Sequence, residues 1–169
     1  MGTPTRADGG PLRLFFICTG NAARSQIAEG LANHLGSGRV EASSAGTMPA
    51  GVSSHAVAVM EERGIDISHH YSKGIHEVPG PFDLVVTLCD HASLLCPVSV
   101  RRYPMEHWST PDPTFAPGGP EAVHQAFREV RDRLEGQIQN LLDKLLVKEG
   151  SGEGAAGPGA TVRKRLSRR

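Results

Sequence analysis

The run Leu12–Cys18, LRLFFIC, constrains the fold more than any other stretch of this sequence. It is almost continuously apolar, which suits a central strand of a parallel sheet, buried on both faces. It is far short of the roughly 20 residues that cross a bilayer, and no other stretch approaches that length. The run leads directly into a Gly-containing loop. Ser25–Leu35 follows, with Ile27, Leu31 and Leu35 spaced four apart on one helix face and Gly36 as the stop. The chain therefore begins with a strand–loop–helix unit.

The same logic runs on. Val40–Ser44 reads as a second strand, and Ser54 as the cap of a helix through Arg63 that turns Val59 and Met60 inward and ends at Gly64. Leu84–Leu88 is a β-branched third strand, and Asp90–Leu95 has room for one or two helical turns before Pro97. Val98–Tyr103 is predicted as a fourth strand, at an edge because of Arg101 and Arg102. Four prolines and two glycines make residues 109–120 a loop. After Pro120, Val123, Phe127, Val130, Leu134, Ile138, Leu141 and Leu145 trace one long amphipathic helix. Strands alternating with helices predict a single α/β domain, a four-stranded parallel sheet flanked by helices on both faces. The domain should occupy residues 12–149, between a disordered lead-in, 1–11, and a disordered tail, 150–169.

A chain of 169 residues with 18 basic and 18 acidic side chains has no net charge to bind nucleic acid or membrane in bulk. The balance hides a basic tail: residues 150–169 hold five basic residues and one acid, leaving 13 basic and 17 acidic residues, a net of −4, in the body. The N-terminus lacks the apolar segment of a signal peptide. Three cysteines, Cys18, Cys89 and Cys96, are an odd number for a secreted disulfide framework and fit a reducing cytoplasm. A monomer with no bound metal or cofactor is expected.

In parallel α/β sheets ligands sit outside the carboxyl ends of the strands. The end of the first strand is Cys18. The loop Cys18-Thr19-Gly20-Asn21-Ala22-Ala23-Arg24-Ser25 turns successive backbone N–H groups toward a helix N-terminus, an anion cradle. Gly20 and Asn21 tolerate the left-handed backbone that such a turn requires. Here the helix dipole and Arg24 favour a thiolate on Cys18. Arg24 presents a planar fork to two oxygens of a tetrahedral oxyanion, and Ser25 can donate to the Cys18 sulfur.

At these residues the chain resembles the low-molecular-weight tyrosine phosphatase superfamily, marked by a Cys, five residues and Arg-Ser. The wording CTGNAARSQIAEG is most similar to its thioredoxin-coupled arsenate reductases, and the resemblance spans about Leu12 to Leu146. It implies that Asp112, of Asp112-Pro113, is the general acid that protonates the leaving oxygen. Phosphatases of the superfamily follow that Asp-Pro with aromatic residues, whereas Thr114 takes the first of those positions here. Val-Thr-Leu-Cys89 followed by Cys96-Pro97 matches the reductase branch. The resemblance then implies a relay: Cys18 attacks arsenate, Cys89 attacks Cys18, and Cys96 attacks Cys89, leaving a Cys89–Cys96 disulfide for thioredoxin to reduce. In a helix, positions seven apart lie about 10.5 Å apart along the axis. A disulfide needs Cα atoms within about 4.4–6.8 Å, so this segment would have to unwind.

Other readings compete. A phosphatase would use Cys18, Arg24 and Asp112 alone. In one, Cys89 and Cys96 only pack; in another, they join His91 in a metal site that lacks a fourth ligand. Some superfamily members hold a potassium ion near the loop. Asn21, Glu29 and Ser44 match three of its ligands, but Lys73 stands where an Asp is expected, and its ammonium would replace the ion's charge.

Overall fold

In chain order the computed structural model, which describes residues 9–156 and side chains through Leu145, contains these elements. They are β1 (Leu12–Cys18), α1 (Arg24–Gly36), β2 (Val40–Gly46), α2 (Ser54–Glu61), β3 (Leu84–Thr87), α3 (Asp90–Leu95), α4 (Val98–Arg101), β4 (Met105–His107) and α5 (Pro120–Ala156). Short 3₁₀ turns lie at Ile75–Glu77 and Pro113–Phe115. The strands form one parallel sheet in the order β2-β1-β3-β4. As its composition predicts, β1 is interior, and Leu14, Phe15, Phe16 and Ile17 are wholly buried. Each such side chain contributes about 1.5–3 kcal/mol relative to exposure.

From β1 the chain crosses first to β2 on one side and later to β3 on the other. The loops leaving β1 and β3 therefore diverge, and a crevice opens at their carboxyl ends. Helices α1, α2 and α5 pack on one another, while α3 packs against β1 and β3. A charged clamp joins the end of α2 to α5. Glu62 accepts from Arg128 at 2.8 Å and from Arg131 at 2.7 Å, and Arg131 also donates to the Val59 carbonyl. The Arg128 and Arg131 hydrogen bonds, in that order, pull the Glu62 carboxyl down to about 2.

The structure corrects several local expectations. The stretch Val98–Tyr103 is not a strand. The Pro97 carbonyl accepts from Val100 at 2.9 Å and Arg101 at 3.1 Å, coiling the chain into α4. Only Val100 of that turn is buried and Val98 is 81% exposed, so the apolar alternation marks a single contact and not a buried face. The fourth strand starts after Pro104, whose carbonyl receives the Val85 N–H. A proline lacks its own N–H and suits the entry to an edge strand. The cap of α2 is Ser53, whose side chain accepts from His55 N–H; Ser54 is already helical. The helix ends at Glu61 rather than Arg63, and Gly64, at φ 74°, closes the turn that follows. Helix α5 continues six residues beyond Gly150, to Ala156. Residues 157–169 of the expected tail and 1–8 of the lead-in lie outside the described residues.

Candidate active site

Cys18, the last residue of β1, is buried, with its Sγ 2.9 Å from Ser25 Oγ. Between them the loop turns through Asn21, at φ 48° and wholly buried. Asn21 holds this left-handed conformation through a dense set of bonds. Its Oδ1 accepts from Lys73 N–H and Gln26 Nε2, each at 2.9 Å, and its own carbonyl accepts from Gln26 and Ser72. A backbone N–H can only donate, so the Asn21 amide is oriented with Nδ2 toward Ser25 Oγ (2.8 Å) and Ser44 Oγ (3.0 Å). With Ser25 already accepting from Asn21, its hydrogen is available to a Cys18 thiolate. Helix α1 has no side-chain cap. Among the described residues, the N–H groups of Gly20 to Ala23 donate to no protein acceptor. They stay free for an anion.

The Arg24 guanidinium is buried and fixed by two bonds, to the Thr110 carbonyl at 3.1 Å and to Asp112 Oδ2 at 3.4 Å. Asp112 begins the turn Pro113–Phe115, and its Oδ1 accepts from Thr114 N–H at 3.0 Å. That leaves Oδ2 as the oxygen facing Arg24. Cys18, Arg24 and Asp112 line one cleft of about 310 Å³, walled also by Met48, Ala50 and Phe115.

The other two cysteines come from the neighbouring strand. β3 pairs with β1 with Ile17 opposite Thr87, so Cys18 and Cys89 leave adjacent strands at the same end of the sheet. Cys89 Sγ lies 3.2 Å from Thr19 Oγ1 and accepts from Ala92 N–H at 3.4 Å, capping α3. Asp90, first in that helix, bonds His107 Nε2 at 2.9 Å, and Thr87 Oγ1 holds His107 Nδ1 at 2.8 Å. Cys96 ends α3 and is buried. Burial pushes its thiol up, against the opposite pull of Arg101. All three cysteines are free thiols. The helix holds Cys89 and Cys96 at its two ends, as the spacing predicts.

Two contributions are invisible in the sequence pattern. Gly46 ends β2 where a Cβ would lie 2.5 Å from the Thr19 carbonyl oxygen and 2.8 Å from Asn21 N. The segment after it braces the loop, with Thr47, Met48 and Ala50 N–H groups donating to the carbonyls of Cys18, Thr19 and Gly20. Behind Asn21, Ser44 donates to Glu29 at 2.6 Å, and Glu29 is flanked by Lys73 Nζ at 3.8 Å and His70 Nε2 at 3.7 Å. Burial holds the His70 imidazole below its ordinary value, against the pull of Glu29. A potassium ion does not fit this set, because the Lys73 ammonium already stands beside the Glu29 carboxylate. Among the described residues no cluster of three or more His, Cys, Asp or Glu side chains is arranged for a metal, and His91 with the two cysteines forms none.

The profile of the low molecular weight phosphotyrosine protein phosphatase family matches residues 13–151. The chain belongs to this family. Within it, the phosphatase-family chain is 40% identical over 131 residues to an arsenate reductase of Shouchella clausii, covering 77% of this chain and 94% of that one. A solved arsenate reductase in a phosphate-binding state superimposes with a TM-score of 0.70 at 32% identity, covering 79% of this chain and 98% of that one. A thioredoxin-dependent arsenate reductase of Corynebacterium glutamicum has a TM-score of 0.61 at 26% identity, covering 80% of this chain and 62% of that one.

Proposed function

We propose that residues 12–149 form a catalytic unit that reduces arsenate to arsenite through Cys18, Cys89 and Cys96, with thioredoxin returning the electrons. The observation that carries this reading is the placement of three free thiols. Cys18 and Cys89 leave adjacent strands, the hydroxyl of Thr19 next to Cys18 reaches the Cys89 sulfur at 3.2 Å, and Cys96 waits at the far end of a six-residue helix. Hydrolysis of a phosphate ester has no use for the second and third.

Arsenate enters the cleft and takes the free N–H groups of the loop and the Arg24 fork. The Cys18 thiolate, with the Ser25 hydroxyl on its sulfur, attacks arsenic while Asp112 delivers a proton to the departing oxygen. Cys89 then attacks the Cys18 sulfur. The S–S bond takes up the two oxidising equivalents, the arsenic–sulfur bond breaks, and arsenic leaves as arsenite. Thr19 Oγ1 and the Ala92 N–H both lie at the Cys89 sulfur and hold it in position. Cys96 attacks Cys89, Cys18 departs as thiolate, and the Cys89–Cys96 disulfide passes to thioredoxin. Exposed Leu94, Leu95 and Val98 surround Cys96 with an apolar surface suited to a protein reductant.

Cys18, Arg24, Asp112, Cys89 and Cys96 all come from one chain, which supports a unit that works as a monomer. Free thiols and a thioredoxin partner support a cytoplasmic location; among the described residues no helix is long and apolar enough to cross a membrane. A second reading, phosphate monoester hydrolysis, is favoured by the same cradle and Asp112 and by the family itself. Both are tested by following arsenate-dependent NADPH oxidation with thioredoxin and thioredoxin reductase beside hydrolysis of an aryl phosphate. Absence of the first with retention of the second would reverse the order of the readings.

A further inference from the structure

Helix α3 has six residues, too few to stand alone in water, so it persists through contacts at its ends. At its start it has the Cys89 sulfur and the Asp90–His107 hydrogen bond. At its finish, where helices leave carbonyls without partners, Arg101 reaches back from α4 and donates to the Leu94 carbonyl at 2.8 Å. Among the described residues Arg101 makes no ion pair, and its hydrogen-bond partner is the neutral Leu94 carbonyl. Cys96 lies between the two helices at 3% exposure, and Arg101 is the charged group whose field reaches it.

We infer that Arg101 couples the unwinding of α3 to the arming of Cys96. While α3 is helical its guanidinium caps the last turn, and once the turn opens it stands as a free positive charge beside the exposed sulfur. The inference rests on the relay proposed above and names the residue that controls its last internal step. In the helical form Cys96 is buried as a thiol and attacks nothing. Opening uncovers the sulfur and strips Arg101 of its carbonyl partner in one event. The Cys96 proton passes to water, the thiolate attacks Cys89 in the Cys18–Cys89 disulfide, the Cys89–Cys96 bond forms and Cys18 leaves as thiolate, with no net change in oxidation. Cys96 is thus kept from reacting with Cys89 until the segment has opened.

The test uses the whole chain with Arg101→Ala, Arg101→Gln and Arg101→Lys. Hydrogen exchange over residues 90–96 reports opening, and iodoacetamide labelling of Cys96, read by peptide mapping, reports thiolate reactivity. Arg101→Ala should speed exchange yet lower Cys96 labelling per opening about three- to tenfold, the order expected for losing one nearby charge in water. Arg101→Gln, which keeps a donor without charge, should lower labelling with little change in exchange, and Arg101→Lys should keep labelling close to wild type. A residue that only held the helix shut would raise exchange and labelling together, and that result overturns the inference. So does Arg101→Lys behaving like Arg101→Ala, or no change in any variant. With arsenate, conversion of Cys18–Cys89 to Cys89–Cys96 should slow by the same factor in Arg101→Gln, whose opening is unchanged, while aryl-phosphate hydrolysis stays unchanged. If arsenate oxidises no cysteine in the wild type, the relay fails, and the labelling arms still decide the role of Arg101.

Discussion

Replacing Gly46 with alanine places a methyl group against two backbone atoms of the oxyanion loop. The new Cβ would stand 2.5 Å from Thr19 O and 2.8 Å from Asn21 N, where ordinary contact begins at 3.4 Å. The shortfalls are about 0.9 and 0.6 Å, by the contact distances of packed atoms. Backbone atoms have no rotamer to retreat into, and the Thr19 carbonyl is also held by Met48 N–H at 2.8 Å. The loop itself must therefore move. Overpacking of this kind costs about 1–3 kcal/mol, and a displacement near 1 Å at a reacting centre costs on the order of 10²-fold in rate. Gly30→Ala is the matched control. Its Cβ would meet Ile67 Cγ2 at 2.8 Å and Met60 Cε at 2.9 Å, the ends of side chains away from the cleft. Both variants should lose thermal stability, roughly 2–4 °C per kcal/mol for a chain of this size. Only Gly46→Ala should lose about 10²-fold in kcat for aryl-phosphate hydrolysis and in single-turnover oxidation by arsenate. Wild-type rates in Gly46→Ala, or equal rate losses in both variants at matched temperatures below their Tm, would refute the reasoning.

Cys18→Ser should abolish both arsenate reduction and ester hydrolysis with the fold intact; turnover of either substrate by purified protein would remove Cys18 from the chemistry. Asp112→Asn should slow the first chemical step about 10²–10⁴-fold while oxyanion binding persists; unchanged single-turnover rates would leave Asp112 as the turn residue that its bond to Thr114 N–H also makes it. Cys89→Ser should stop the cycle after Cys18 has reacted, and Cys96→Ser should trap a Cys18–Cys89 disulfide visible in non-reducing peptide maps. Arsenate turnover surviving both substitutions would favour the phosphatase reading. Glu62, pulled below its usual 4.5 to about 2, contributes stability that is fully present above pH 4.5 and is lost as pH falls toward 2. The Tm difference between wild type and Glu62→Gln should accordingly be constant above pH 5 and shrink below it; a difference unchanged down to pH 3 would mean that the clamp is not electrostatic.

Much of this arrangement is legible because it is local in sequence. The loop from Cys18 to Ser25 is consecutive, and a buried strand before it with a helix after it is enough to aim its amides. The long helix after Pro120 shows its apolar stripe over about six turns. Val98–Tyr103 was ambiguous for the opposite reason: in so short a stretch a buried Val100 between polar neighbours fits a strand or a single helical turn equally. The proline carbonyl that decides between them carries no periodic signal. Gly46 and the brace after it are silent in the pattern because their role depends on register, with Gly46 opposite Cys18 across β1 and β2. Lys73 could be placed near Glu29 only through the resemblance, since 44 positions separate them in the chain. Cys89 and Cys96 were easily seen but not easily interpreted. Their meaning depends on β3 lying beside β1, which is a fact of topology.

The hydrogen bonds from Asn21 Nδ2 run outward, to Ser25 and on to the Cys18 sulfur, and to Ser44 and on to Glu29. An amide nitrogen does not surrender its hydrogen at any pH the protein survives. The chain of contacts joining Glu29 to Cys18 is therefore an insulator for protons, however continuous it looks. Glu29, His70 and Lys73 can set the field at the nucleophile but cannot act as its base. When the Cys18 thiol ionises, its proton has to depart through the cleft, by the same opening that admits the oxyanion.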